Sequence, residues 1–135
     1  MRIALDTNIL VSAFATRGLA ADTLNLVLSD HQLVLGETVL EELSRVLRTK
    51  FKVPDTTARE VDAFLRAHSV VISSAPELEL EIRDDTDRPV LAEAVEGLAE
   101  VLVTGDQDLL VVADAAPIRI VTPRGLWEAL REAPR

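Results

Sequence analysis

The sequence predicts an α/β fold, a three-layer α/β/α sandwich around a mostly parallel central sheet. Three observations predict it. Short runs such as Ile3-Ala4-Leu5 and Val101-Leu102-Val103 are apolar at every position, as strands covered by helices on both faces must be. These runs alternate with segments whose apolar residues recur at helical spacing. Two of them also stop abruptly at acids, Asp6 after the first and Asp106 shortly after the later one. In open α/β sheets the crevice outside the carboxyl ends of the strands is where ligands bind, so an acid there is a site candidate. Asp6 has an equally good second use, capping the helix that follows.

The chain has 135 residues, which predicts one domain over 1–135 with an ordinary buried core. A hydrophobic content of 48% beside 27% charged residues predicts a compact soluble protein and excludes the composition of a disordered chain. No run approaches the roughly 18 apolar residues of a membrane span. The first residues enter the fold without a separate hydrophobic leader, so the expected location is cytoplasmic. There are no cysteines, which removes disulfides and thiolate metal sites. The net charge of −9 is a poor footprint for holding nucleic acid by bulk electrostatics. It fits better if some of the acids converge on a divalent cation that can itself bind phosphate.

Each element has its own signal. Ile9, Leu10, Ala13 and Phe14 mark a first helix ended by Arg17-Gly18, and Asp22 is placed to cap a second, with Leu24, Val27 and Leu28 as its buried stripe. Gln32 to Leu35 reads as a strand closed by Gly36. Thr38-Val39-Leu40-Glu41 has the form of a capping box and opens a helix with Val39, Leu40, Leu43, Val46 and Leu47 on one face. At about 100° per residue, Glu41 points away from that face while Glu42 lies on its flank. Glu42 is therefore the acid of this pair that can reach the edge of the core. Arg45, Arg48, Lys50 and Lys52 follow as the densest basic patch of the chain. They complement the helix macrodipole and are also candidates for a phosphate-contacting edge.

A second capping-box form, Thr57-Ala58-Arg59-Glu60, precedes a helix to about His68, and Val70 to Ile72 reads as a strand. Leu78, Leu80 and Ile82 alternate with Glu77, Glu79 and Glu81, which predicts a short extended segment. Arg83-Asp84-Asp85-Thr86-Asp87-Arg88-Pro89 is a helix entrance, with Val90, Leu91, Ala94 and Val95 as core residues and Gly97 as the stop. Three acids in four residues exceed what capping requires and call for a counter-charge. Leu109 to Val112 reads as a short helix, Ile118 to Val121 as a last strand, and Leu126, Trp127 and Leu130 as the buried side of a closing helix.

Asp6, Glu42, Asp87 and Asp106 thus share one predicted address at the strand ends. Hard oxygen ligands without histidine or cysteine point to Mg²⁺ or Mn²⁺ rather than zinc. His31 and His68 stand apart in sequence from all four acids and read as ordinary surface or helix-end residues.

In these residues the chain resembles the PIN-domain nucleases, particularly the VapC-like ribonuclease toxins of toxin–antitoxin systems. The resemblance covers nearly the whole chain. It is carried by Leu5-Asp6-Thr7-Asn8, by Glu42-Leu43, by Asp87-x-x-Val90-Leu91-x-x-Ala94, and by Leu102-Val103-Thr104-Gly105-Asp106-x-Asp108-Leu109-Leu110. It implies an acidic site of Asp6, Glu42, Asp87 and Asp106 holding Mg²⁺ or Mn²⁺, with Asn8 and Thr104 as polar support and Asp108 in an outer role. A shift of register would put Asp85 or Asp84 in place of Asp87. The resemblance also implies single-stranded RNA as substrate, hydrolysis of its phosphodiester bonds, a homodimer and an antitoxin partner.

Two other classes compete. A phosphotransfer domain using Asp6 as acceptor would want an acid two positions later, where Asn8 stands, or a lysine at the end of the late strand, which is missing. A catalytically silent scaffold binding RNA or protein would be expected to show gaps in the acidic set, and this set has none.

Overall fold

In the computed structural model, which describes residues 1–132, the strands are β1 (Arg2–Leu5), β2 (Gln32–Gly36), β3 (Ser69–Ile72), β4 (Val101–Val103) and β5 (Arg119–Val121). All pair in parallel, in the order β3-β2-β1-β4-β5. The helices are α1 (Thr7–Ala15), α2 (Leu19–Asp30), α3 (Glu37–Thr49), α4 (Asp55–Ala67), α5 (Asp87–Glu96), α6 (Gln107–Val111) and α7 (Pro123–Glu132). The α/β sandwich is therefore the observed fold, and among the described residues every strand pairing of the sheet is parallel.

The uniform apolarity of β1 has its reason in this order. Ile3, Ala4 and Leu5 lie in the middle strand and are buried together with Leu33, Val34 and Leu35 of β2 and all of β4. The chain lays β2 and β3 to one side of β1 and then returns to place β4 on the other. The connections leaving β1 and β4 diverge, which opens the crevice between their carboxyl ends. Thr104 and Asp6 are the residues that emerge there, with Asp6 N–H donating to Val103 O at 2.9 Å.

Several helix starts differ from expectation. Helix α3 begins at Glu37 with Gly36 as its cap, so Thr38 is already inside the first turn and the Thr38–Glu41 capping box does not form. A carboxylate on another helix supplies the cap instead, as described below. Helix α4 begins at Asp55 behind Pro54, two residues before the expected box, and Asp22 sits within the first turn of α2 rather than before it. In each case a proline or glycine set the boundary ahead of the polar residue that looked like the cap.

The segment expected to be extended over 77–82 makes no ladder, yet its alternation is real. Ile82 is buried, Leu78 and Leu80 are half-buried, and the three glutamates between them are exposed. Gly97 does cap α5, but its role is close approach. A Cβ there would stand 2.4 Å from Val34 Cγ1, while the residue with positive φ is Leu98. Trp127 anchors α7 to α2, its Nε1 donating to Thr23 Oγ1 at 3.1 Å. Among the described residues, no helix is long and apolar enough to cross a membrane.

Candidate metal centre

Asp6 serves both of the uses its position suggested. Its Oδ1 caps α1 by accepting from Thr7 N–H at 2.7 Å, and its Oδ2 accepts from the Thr104 hydroxyl at 2.7 Å. Thr104 is fully buried, and the same Oγ1 accepts from Asp106 N–H at 3.0 Å. One hydroxyl therefore fixes the acids at the ends of β1 and β4 relative to each other. Asp106 in turn caps α6, with Oδ1 accepting from Asp108 N–H at 2.8 Å.

Asp87 is the first residue of α5 and is buried, 8% exposed. Its Oδ2 is shielded from solvent and has no hydrogen-bond partner among the described residues. A carboxylate oxygen in that condition costs free energy unless a proton or a cation reaches it. The Asp87 carboxyl is pushed up to about 7, by burial first, then by the charge of Asp106 and a proton contact with it, and then by the charges of Asp84 and Asp6. Asp6 is raised as well, chiefly by burial, with Asp106 adding to it and the bonds from Thr104 and Thr7 opposing. Asp106 is thus an electrostatic neighbour of both Asp6 and Asp87, and Asp6 is one of Asp87.

Oxygens of Asp84, Asp87 and Asp108 also lie within 4.8 Å of one another. Asp84 is held by its own turn, Oδ1 accepting from Thr86 N–H at 3.0 Å and from Thr86 Oγ1 at 2.7 Å, which lowers its pKa. Asp85 is exposed and ion-paired with Arg88 at 3.2 Å. Of the two alternatives to Asp87, the one brought into the cluster is therefore Asp84. The cluster is all carboxylate, and it contains a buried oxygen that lacks a partner. Both features suit a hard divalent cation.

The remaining candidates are less tightly placed. Glu42 is half-buried on α3 and, among the described residues, its side chain makes no hydrogen bond or ion pair, whereas Glu41 is exposed. Asn8 is exposed in the first turn of α1. Arg45 and Arg48 line a groove between α3 and α4, shared with Arg59 and Arg66, in which Arg48 pairs with Asp55 at 3.1 Å and Arg66 with Glu37 at 2.6 Å. Lys50 and Lys52 are exposed at the end of α3 and in its exit loop.

One buried acid escaped the sequence reading. Glu93 on α5 is 7% exposed, and its carboxylate accepts from Thr38 N–H at 2.9 Å and from the Thr38 hydroxyl. Its signal was present: a lone charge inside the apolar stretch Val90-Leu91-Ala92-Glu93-Ala94-Val95, where an unpaired carboxylate is not tolerated.

A family model described as PIN domain matches residues 2–108. The chain belongs to the PIN domain family. Among solved structures, it is similar to VapBC-1 from nontypeable Haemophilus influenzae, with a TM-score of 0.66 and 17% identity over 92% of this chain and 99% of that one. A structure of VapBC2 from Rickettsia felis bound to a DNA fragment from their promoter gives a TM-score of 0.64 and 18% identity, over 90% of this chain and 97% of the other. FitAcB from Neisseria gonorrhoeae is similar at a TM-score of 0.51 and 16% identity, over 90% and 98% of the two chains. Comparison with curated protein sequences gives no match.

Proposed function

We propose that this chain is a Mg²⁺- or Mn²⁺-dependent endoribonuclease, cutting single-stranded RNA as the toxin of a toxin–antitoxin pair. The observation that carries the reading is the gathering of acids at the carboxyl ends of β1 and β4, where the Thr104 hydroxyl links Asp6 to Asp106, together with a buried Asp87 oxygen that has no partner among the described residues. A nuclease needs such a site because the phosphodiester it attacks is anionic and the protein's own net charge of −9 would repel it. The PIN family assignment supports the nuclease class. The names of the solved relatives support an antitoxin partner, and the family resemblance supports a homodimer.

Asp6, Asp87, Asp106 and Glu42 are the residues assigned to hold the cation, and Asp84 and Asp108, whose oxygens lie within 4.8 Å of one of Asp87, can complete its coordination. A bound cation would lower the pKa of water and neutralise charge on the phosphate, so that hydrolysis proceeds by in-line attack. Thr104 keeps Asp6 and Asp106 in register through its shared hydroxyl. Carboxylate oxygens not committed to the cation can accept the proton of the attacking water. Asn8, exposed beside Asp6, can donate its amide to a phosphate oxygen. Arg45 and Arg48, with Lys50 and Lys52 beyond them, are the cations available to contact RNA farther along its backbone.

Incubation of the purified protein with mixed single-stranded RNAs tests the reading. Cleavage should require Mg²⁺ or Mn²⁺ and stop in excess chelator, and chelator-resistant cleavage sinks the mechanism. Absence of any cutting with either cation favours the silent scaffold. A second expectation separates neighbours on α3. Glu42→Gln should reduce cleavage at least about tenfold, the usual scale for disturbing a metal ligand or its support, and Glu41→Gln should leave it unchanged. The opposite pattern would mean that the other face of the helix serves the site.

A further inference from the structure

Glu93 connects the two helices that carry the outlying acids of the site, and resting on the metal-site reading above, we infer that it is the residue that positions Glu42 against Asp87. Helix α5 begins with Asp87 and carries Glu93 in the same rigid element. From there the Glu93 carboxylate reaches the first turn of α3 and takes both the N–H and the hydroxyl of Thr38. Thr38 and Glu42 are four residues apart, so they stand one above the other on one face of α3. Fixing Thr38 therefore fixes the azimuth and axial position of Glu42.

The joint is built on both sides. Gly36, the residue before α3, leaves no room for a side chain, since a Cβ there would lie 1.9 Å from Glu93 Oε1. Gly36 offers no side-chain cap of its own, so the negative end of Glu93 also meets the positive end of the α3 macrodipole. Carried on two residues, the β1–β2 register sets Gly36 level with Asp6, which puts the joint at the edge of the sheet where the acids gather. Both oxygens of the Glu93 carboxylate are already taken up by Thr38, one by its N–H and the other by its hydroxyl. Glu93 therefore acts as a positioning residue rather than as one more ligand.

Calorimetric titration of Mn²⁺ into the whole protein tests this without relying on turnover. Glu93→Ala should weaken Mn²⁺ binding about tenfold or more, on the scale seen when support behind a metal ligand is removed. Glu93→Gln, which keeps the shape and an acceptor for Thr38 N–H, should restore most of it. In a Glu42→Gln background, Glu93→Ala should cause no further weakening, because there is no carboxylate left to position. A residue that only stabilises the fold would weaken binding equally in both backgrounds or in neither, and either result overturns the inference. If Glu93→Ala does not fold, Thr38→Val makes the same comparison, since it removes the hydroxyl and keeps the backbone bond; equal Mn²⁺ affinity in Thr38→Val and wild type then overturns it. Wild-type protein that binds no Mn²⁺ is a different outcome, removing the metal site itself and this inference with it.

Discussion

Asp6→Asn should abolish RNA cleavage, by at least about a hundredfold, while the protein stays folded. A hundredfold loss corresponds to about 2.7 kcal/mol of transition-state stabilisation, which a neutral amide replacing a hard anionic ligand readily removes. Stability should change by less than about 1 kcal/mol, because the asparagine oxygen can still accept from Thr7 N–H and asparagine is as good a cap as aspartate. Relief of the buried charge opposes any loss of the Thr104 bond. Cleavage rates and melting curves on the same preparation check both halves. A variant that cuts at the wild-type rate takes Asp6 out of the site, and one that melts far below wild type makes it chiefly structural.

The second large effect is a pH dependence set by Asp87. Its folded pKa stands near 7 against an ordinary value of 3.8, so between these values the folded, metal-free protein keeps a proton that the unfolded chain has lost. Stability of the metal-free protein must then fall as pH rises through this window, by at most about 1.4 kcal/mol per unit from this group, and level off above it. A cation competes with that proton. Apparent Mn²⁺ affinity should rise with pH, by up to about tenfold per unit, and flatten above pH 7. Asp106→Asn removes the like charge that contributes to the shift, so the metal-free variant should be more stable than wild type at pH 8, and by less at pH 5. Melting curves in chelator from pH 4 to 8 read this directly, and a wild-type profile that rises monotonically over that range contradicts the assigned coupling.

Much of this was legible because the strands are short and buried on both faces. Uniform apolarity located β1, β2 and β4, and the acids ending β1 and following β4 were conspicuous because nothing apolar could continue there. The helix boundaries were harder to read. Thr38 looked like a cap because its sequence neighbours fit a capping box, whereas the group that satisfies α3 is Glu93, distant in sequence and brought close only by the crossing of α5 over the end of β2. The acidic loop before α5 was ambiguous for a related reason. Spacing alone cannot tell Asp84 from Asp85, and only the turn closed by Thr86 and the pairing of Asp85 with Arg88 separates them. The role of Thr104 as a hydroxyl shared between two acids likewise depends on β1 and β4 being neighbours, which no local pattern encodes.

Thermal melting of the metal-free protein with added Mn²⁺ tests the central claim most directly, that Asp6, Asp87 and Asp106 form one divalent-cation site. At a hundredfold excess over the dissociation constant, binding to the folded state alone adds about 2.7 kcal/mol, or roughly 10 °C in a chain of this size. NaCl at equal ionic strength should give much less, since screening is not specific to a site, and Asp106→Asn should blunt the Mn²⁺ response. A wild-type protein whose melting temperature rises no further with Mn²⁺ than with matched NaCl would contradict the account.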